Sequence, residues 1–431
     1  MKEHLSALVS ALSVVVACAA GADPDGSTST TGGGVPWTTS SGGSGGGTVS
    51  GGGGNGGAPQ GGSPSTGGSP STGGAAMGGG GASGGGSSAG GSSMGGGGSG
   101  SGGAPPDEGQ IVVVALGPSA SLAGHYEPAA GWSSAVLTGA SGSDRPAVAL
   151  RAKNDGLAMF RNSGALSFSR FDGTAWSASA DVQSGVTTRA APAVAASATN
   201  FFVAFHGDDF KHYFALYANS FNPTADPIGT PQSFGPAPAA IVADGSDAVI
   251  AFTGNDGDVY DQRRSGSWAA AHGHGATSVA GTPSIVKLDQ GADLLLVFAK
   301  SDTTVSFTTS TSGTWSTPAT IPSTLTQDPI ALAPLAGGKA VVAFRGTNAK
   351  VYTTLFDGTA WSTPVALASG SAETPSSPAV APGIGGADAE LVYVATGAGS
   401  AMHARLTGTT WSTPLTIGGS NLTTISVASS P

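Results

Sequence analysis

Six prolines recur at nearly constant spacing through the second half of this 431-residue chain, 46, 46, 45, 46 and 49 residues apart: Pro146, Pro192, Pro238, Pro283, Pro329 and Pro378. A tryptophan ladder runs in phase with them, with one position near Phe221 lacking its tryptophan: Trp132, Trp176, Trp268, Trp315, Trp361 and Trp411. A period in the mid-forties filled with short strands is typical of β-propeller blades. The spacing therefore predicts an all-β fold of four-stranded blades around one axis.

Each repeat has the same order of segments. The proline starts a strand of small residues, where its missing N–H costs no ladder bond. An apolar second strand follows, predicted at Leu157–Phe160, Phe202–Phe205, Ala248–Phe252, Leu294–Phe298, Ala340–Phe344 and Glu390–Val394. A polar turn leads to a third strand, and the tryptophan opens the outer strand. Asp-Gly corners, such as Asp172-Gly173 and Asp357-Gly358, predict turns before that outer strand.

The two ends of the repeat region predict the number of blades. Ile111–Leu116 reads as a second strand, but only linker precedes it, and Leu422–Ala428 remains as an extra strand at the other end. The last strand can therefore complete the blade that the first three begin. Residues 111 to 429 number 319, which gives 45.6 residues for each of seven blades. We predict a seven-bladed propeller over 110–431, with one blade shared by the N- and C-terminal strands.

The N-terminal quarter of the sequence predicts a targeting signal and a linker, and no folded core. Leu5 to Val16 form an apolar run too short to span a membrane, which indicates a secretory signal over 1–17. Cys18, the chain's only cysteine, follows directly, and Val15-Val16-Ala17-Cys18 resembles a bacterial lipoprotein signal in which the cysteine is acylated. This resemblance, with Ala19 after the cysteine, implies an outer-membrane lipoprotein. The Gly/Ser-rich remainder of 18–109 predicts a disordered tether.

Composition excludes some partners. The formal net charge is −10 and only 10% of the residues are charged, which disfavours binding to nucleic acid. Glutamate is scarce: Glu127, Glu373 and Glu390 are the only ones in the predicted propeller. No cofactor motif, phosphate-binding loop, nucleophile elbow or zinc spacing is recognisable, so no cofactor is expected.

The cycle of Trp-Ser-x-Pro, Pro-led strand, Val-Tyr and Asp-Gly-Thr-x-Trp resembles bacterial fucose-binding lectins of the seven-bladed type and, less closely, six-bladed fungal fucose lectins. The resemblance covers 111–429 and implies sugar binding between blades by arginine, glutamate and aromatic side chains. Arg161 and Arg345 fall at equivalent positions after the second strand, whereas no third strand carries a glutamate. The implied binding candidates are Arg161, Arg345, Trp176, Trp268, Trp315, Trp361 and Trp411.

Two features leave alternatives open. The tryptophans suit sugar stacking, but their recurrence at one structural point equally suits packing between blades. The Asp-Gly-Thr-Ala-Trp corners also loosely resemble sialidase boxes, although Tyr126 and Glu127, the only Tyr-Glu pair, should point to opposite faces of a strand.

Histidines occur in two predicted hairpins beside carboxylates or each other. One contains His206, Asp208, Asp209 and His212, and the other contains His272-Gly273-His274. These residue types can bind metal, but spacing on a hairpin is not diagnostic, and we predict no metal site.

Together these features predict a non-catalytic, lipid-anchored binding protein on the cell surface that recognises carbohydrate. A protein–protein interaction propeller is the alternative, and a sialidase-like hydrolase is the third possibility. The oligomeric state stays open.

Overall fold

The computed structural model describes residues 108–430 apart from 184, 222–225, 229–237, 277, 292 and 327. The predicted signal peptide, Cys18 and nearly all of the predicted tether lie outside the described residues. Within the described part, no helix is long and apolar enough to cross a membrane. The single helical segment there is a 3-10 turn at Leu367–Gly370.

The described residues form seven antiparallel sheets, which we number as blades 1 to 7 in chain order. Blade 1 is the shared blade, with the order β3-β2-β1-β31: β1 (Ile111–Leu116), β2 (Ser121–Glu127), β3 (Gly131–Ala135) and β31 (Thr424–Ser429). Six residue pairs join β1 to β31, from Ile111 opposite Ser429 to Leu116 opposite Thr424. The predicted closure of the ring by the C-terminal strand is confirmed.

Blades 2 to 7 run from the inside outwards in chain order. Blade 2 contains β4 (Ala147–Ala152), β5 (Asp155–Asn162), β6 (Ala165–Phe171) and β7 (Ala180–Asp181). Blade 3 contains β8 (Ala193–Ala196), β9 (Phe201–His206), β10 (His212–Tyr217) and β11 (Asp226–Pro227). Blade 4 contains β12 (Ala240–Asp244), β13 (Asp247–Thr253), β14 (Val259–Ser265), β15 (Ser267–Trp268) and β16 (His272–Gly273). Blade 5 contains β17 (Val279–Lys287), β18 (Leu294–Lys300), β19 (Thr304–Thr311), β20 (Thr314–Trp315) and β21 (Ala319–Leu325). Blade 6 contains β22 (Ala331–Leu335), β23 (Lys339–Arg345), β24 (Val351–Phe356) and β25 (Val365–Ala366). Blade 7 contains β26 (Ala379–Pro382), β27 (Ala389–Val394), β28 (Ala401–Thr407), β29 (Thr410–Trp411) and β30 (Leu415–Gly418).

The outer strand is divided in blades 4, 5 and 7, where two short segments pair with the same third strand. The four-stranded blade predicted from the repeat is therefore confirmed. The innermost strands contact one another in a closed ring, from β4 through β8, β12, β17, β22 and β26 to β31 and back to β4.

One predicted strand start differs from the pattern. Pro283 lies inside β17 and not at its first residue, and the register shifts between Ala280 and Ser284. Because proline cannot donate to the ladder, a bulge is where a strand interior accommodates it. The other prolines precede their strands by one to two residues, as predicted.

The core lies between the blades. Seven buried apolar clusters each combine side chains of two neighbouring blades, such as Val341 of blade 6 with Leu391 of blade 7. The second strands supply nearly half of these side chains, and β1, β9 and β27 are buried along their whole length. Burial on both faces explains why these strands read as continuous apolar runs.

The corners before Trp176 and Trp361 are closed by local hydrogen bonds. Asp172 Oδ1 accepts the backbone N–H groups of Ala175, at 2.8 Å, and Thr174, at 2.9 Å, and these bonds lower the pKa of Asp172. Asp357 makes the same bonds to Ala360 and Thr359. The prediction that the Asp-Gly corners are turns is confirmed.

The serine after the tryptophan has a repeated structural role. In blades 5, 6 and 7, the Oγ atoms of Ser316, Ser362 and Ser412 accept the N–H of a third-strand residue at 2.9 to 3.1 Å. This bond holds the chain just after the tryptophan against the third strand. The Trp-Ser pair in the repeat is therefore explained by blade architecture.

Candidate functional site

The axis of the ring contains two cavities of about 500 and 770 Å³, both lined by the innermost strands. Their walls are mainly alanine, proline, valine and isoleucine, with Asp144, Arg145 and Arg189 at the first and Arg151 and Lys287 at the second. No tyrosine, glutamate or histidine belongs to either described lining. The described lining holds one carboxylate, Asp144, at the first cavity and none at the second, whereas most glycosidases use a pair of carboxyl groups.

Arg145 lies at the mouth of the first cavity and connects two blades. Its guanidinium donates to Pro378 O of blade 7 at 2.9 Å. Desolvation by the surrounding chain lowers the Arg145 pKa to about 10. The side chain thus remains a cation at neutral pH and helps to hold blades 2 and 7 together across β31.

The two arginines predicted as ligand contacts occupy equivalent positions and make the same bonds. Arg161 pairs with Asp144 at 3.0 Å and donates from Nε to Thr188 O at 2.7 Å. Arg345 pairs with Asp328 at 2.9 Å and donates from Nε to Thr374 O at 2.9 Å. Each arginine therefore links the segment before the first strand of its own blade to the segment before the first strand of the next blade.

The tryptophan ladder lies between blades. Each tryptophan of the ladder is half-buried, and its ring packs against the preceding blade, on or beside the third strand of that blade. The partners are His403 for Trp132, Phe214 for Trp268, His274 for Trp315 and Phe307 for Trp361, with ring centroids 4.8 to 5.5 Å apart. Trp176 packs in the cluster formed with blade 1, and Trp411 donates from Nε1 to Thr353 Oγ1 at 2.9 Å.

Phe221 takes the place of the missing tryptophan. It forms the bridge to Tyr217 that Trp176 and Trp361 form to Phe171 and Phe356. Its ring packs at 5.1 Å from Phe168 of blade 2. The ladder is therefore complete, with one aromatic wedge for every interface between blades.

One wedge borders an open groove of about 390 Å³. Trp411, Arg405, Thr407, Thr410 and Ser412 line it on one side, and the loop 385–387 lines the other. This loop packs closely on blade 1: a Cβ at Gly385 would lie 2.4 Å from Pro128 Cγ. The groove combines an indole, a guanidinium and hydroxyl groups on a firmly held surface.

A second, smaller groove of about 200 Å³ lies beside Tyr352. Asn348 donates to the Tyr352 hydroxyl at 2.9 Å, and the ring stacks on Phe344 at 5.6 Å. A Cβ at Gly346 would lie 2.7 Å from the same ring, which explains the glycine there. Tyr213 and Tyr260 repeat this arrangement in blades 3 and 4 with Asp209 and Asp256 as the hydroxyl's partners.

A buried charged network joins blade 7 to blade 1. Glu390 is fully buried and accepts hydrogen bonds from His403 Nε2 at 2.8 Å and Arg405 Nε at 3.1 Å. Trp132 Nε1 donates to His403 Nδ1 at 3.2 Å, so His403 holds its proton on Nε2. The Arg405 guanidinium also lies over the Tyr126 ring at 5.5 Å. The sequence did not predict this network, because its members come from strands far apart in the chain.

Tyr126 and Glu127 do not act together. Tyr126 packs on His403 at 5.2 Å, whereas Glu127 accepts from Gln110 Nε2 at 3.0 Å. The expectation that these neighbours point to opposite faces is confirmed.

The histidines and aspartates of the blade 3 hairpin have separate partners. His206 and His212 pair across β9 and β10 and are buried, while Asp209 accepts from the Tyr213 hydroxyl at 2.8 Å and Asp208 accepts from Thr187. Burial, and then the nearby His206, lower the His212 pKa to about 3. The histidines of blade 4 differ, since His272 and His274 both lie beside Asp261.

Acid should destabilise the protein through His212. The unfolded chain takes up a proton below pH 6.5, whereas the folded chain does not until about pH 3. The contribution of neutral, buried His212 to the free energy of unfolding is therefore fully present above pH 6.5. Below that pH the free energy of unfolding falls by about 1.4 kcal/mol per pH unit until about pH 3. His212→Val, which installs the residue that Val259 and Val351 supply in blades 4 and 6, should remove this slope. Urea denaturation at stepped pH measures it, and equal slopes for both proteins would contradict the prediction.

Comparisons with known proteins found similarity to solved structures only. No family model matches the chain, and no curated protein matches it. Similar solved structures include AofleA from Arthrobotrys oligospora (10% identity, 67% of this chain, 89% of that chain, TM-score 0.46). They also include the fucose-specific lectin from Aleuria aurantia (15%, 64%, 96%, 0.45) and a putative 6-phosphogluconolactonase from Bacteroides fragilis (12%, 75%, 99%, 0.50). At such low identity these likenesses concern the fold alone.

Proposed function

We propose that this protein is a non-catalytic binding protein that recognises carbohydrate through grooves beside its blade interfaces. The groove over Trp411 carries this proposal. An indole face suits the apolar face of a pyranose, and Arg405 with three hydroxyl side chains can bond to sugar hydroxyls. Arg161, Arg345 and the other tryptophans remain candidates at the equivalent positions of other blades.

Two further observations support binding over catalysis. The axial cavities have small apolar walls, and the buried Glu390 is already bonded to His403 and Arg405. Among the described residues, the large exposed apolar side chains lie on four different blades: Val136, Leu325, Val365 and Leu415. One such side chain on each of these blades is little exposed apolar surface per blade, whereas a broad patch would favour a protein partner.

The test is a glycan array probed with the purified protein. We expect binding to a neutral or deoxy sugar, and Trp411→Leu should weaken it about tenfold, because aromatic stacking contributes up to about 1.5 kcal/mol. Phe221→Leu is the matched control, since Phe221 has the same wedge position, is not a binding candidate and lies outside this groove. Failure to bind any glycan, combined with capture of one defined protein, would reject the carbohydrate proposal.

We further propose that acylation of Cys18 anchors the protein in the outer membrane, with the propeller displayed at the cell surface. The support is the position of the chain's single cysteine directly after the apolar run. In the same binding assay, intact cells producing the full chain should capture glycan-coated beads. Cells producing Cys18→Ser should not, although their soluble extract should still bind.

A further inference from the structure

The outer edge of blade 4 brings one carboxylate and two imidazoles together. Asp261 of β14 lies directly opposite His272 of β16, and His274 follows two residues later. Residues two apart in extended chain point to the same side. Asp261 Oδ1 lies 3.3 Å from His272 Nδ1 and 3.1 Å from His274 Nε2.

Two of these donor atoms are buried without a hydrogen bond. Asp261 is 7% exposed and His274 is 8% exposed. Within the described residues, neither Asp261 Oδ1 nor His274 Nε2 makes a hydrogen bond of acceptable geometry, although the two atoms face each other. Buried polar atoms are nearly always satisfied, so such a pair needs an explanation. An ion between the two atoms would provide one.

The two distances from Asp261 Oδ1 fit a small divalent ion. Zn²⁺ binds imidazole nitrogen at about 2.0–2.1 Å and carboxylate oxygen at about 2.0–2.2 Å in tetrahedral geometry, which separates neighbouring ligand atoms by about 3.3 Å. The two separations from Asp261 Oδ1 are close to this value. The ligand types, two nitrogens and one oxygen, also suit borderline transition metals better than Mg²⁺ or Ca²⁺.

The surrounding residues hold the ligands in place. Asp258 accepts the N–H groups of Gly275 at 2.9 Å and Ala276 at 2.7 Å, which fixes the segment just after His274. A Cβ at Gly273 would lie 3.0 Å from Asp258 Oδ2 and 3.0 Å from Tyr260 Cε1, so a larger residue between the histidines would push these side chains aside. The Trp315 ring of blade 5 stands perpendicular to the His274 ring at 4.8 Å.

We propose that Asp261, His272 and His274 bind one divalent transition-metal ion of the Zn²⁺ class. The His272 side chain is 56% exposed, so the remaining coordination position faces solvent and takes water. The ion would clamp the outer segment β16 to β14 beneath the wedge of Trp315. This inference is independent of carbohydrate binding.

The test uses the untagged protein, stripped with chelator and then dialysed against Zn²⁺. We expect one equivalent of bound zinc by elemental analysis and a zinc-dependent rise in melting temperature. His272→Gln changes an exposed ligand and should keep the fold, yet it should weaken zinc binding by more than the 10- to 100-fold typical of losing an outer-shell partner. Asp261→Asn should have the same effect.

His125→Gln is the matched control, because His125 is a half-buried histidine of blade 1 outside this cluster. It should bind zinc like the wild type. Absence of saturable zinc binding would overturn the proposal. So would stoichiometric binding that His272→Gln and Asp261→Asn leave unchanged, since the zinc would then lie elsewhere.

Discussion

Removal of residues 421–431 should prevent the propeller from folding to a stable monomer. The deletion takes away β31 and with it the buried side chains of Leu422, Ile425 and Val427. Loss of one such side chain costs about 2–5 kcal/mol, and three together are comparable to the 5–15 kcal/mol that stabilises a typical domain. The exposed edge of β1 should also pair with other chains and cause aggregation. Circular dichroism and size-exclusion chromatography measure both effects.

Point variants and a peptide sharpen this experiment. Ile425→Asp buries a charge in the shared core and should mimic the deletion, whereas Ser429→Asp, at the half-buried end of the strand, should change stability little. A synthetic peptide of residues 420–431 should restore some monomer to the truncated chain. A truncated protein that stays monomeric and unfolds at the same urea concentration as the intact one would show that closure contributes nothing.

Glu390→Ala should destabilise the protein by about 3–5 kcal/mol, measured by urea denaturation at neutral pH. The physical reason is that it removes the acceptor of Arg405 and His403 and leaves those polar groups inside the interface of blades 7 and 1. Val341 and Val249 occupy the corresponding position in blades 6 and 4, opposite Leu355 and Arg263. Glu390→Val therefore installs the residue of the other blades, and a similar loss of stability in this variant would assign the effect to the missing charge partner.

A double variant separates these causes. Arg405→Leu installs the residue that Leu355 supplies in blade 6, so Glu390→Ala with Arg405→Leu removes both charges together. Replacement of a buried ion pair by apolar groups is often nearly neutral, so the double variant should recover most of the lost stability. If it is as unstable as Glu390→Ala alone, the network's charges are not what holds this interface.

The repeat made most of the fold predictable from the sequence. Each blade has a short-range code, in which a proline, an apolar run, an Asp-Gly corner and a tryptophan follow one another, and local bonds such as those of Asp172 enforce it. Even the absence of tryptophan near residue 221 was recognisable as a gap in the period. Pro283 differed because a bulge inside β17 accommodates it, and no periodic signal marks a bulge.

The candidate sites were less predictable, because they depend on contacts between repeats. Arg161 and Arg345 were correctly seen as equivalent, but their bonds to Thr188 O and Thr374 O involve the next blade. The pair His272-Gly273-His274 was recognised without Asp261, which pairs with it only through the register of β14 and β16. Glu390 looked like an isolated glutamate until the fold placed His403 and Arg405 beside it.

The position of β1 has a mechanical consequence. This strand is where the described chain enters the ring, and it is paired along six residues with β2 on one side and with β31 on the other. A pulling force applied ahead of Gln110 would run along β1 and would have to shear both ladders at once. If the propeller were held in flowing liquid by the segment ahead of Gln110, the force would therefore act on a strand that is hydrogen-bonded along both edges.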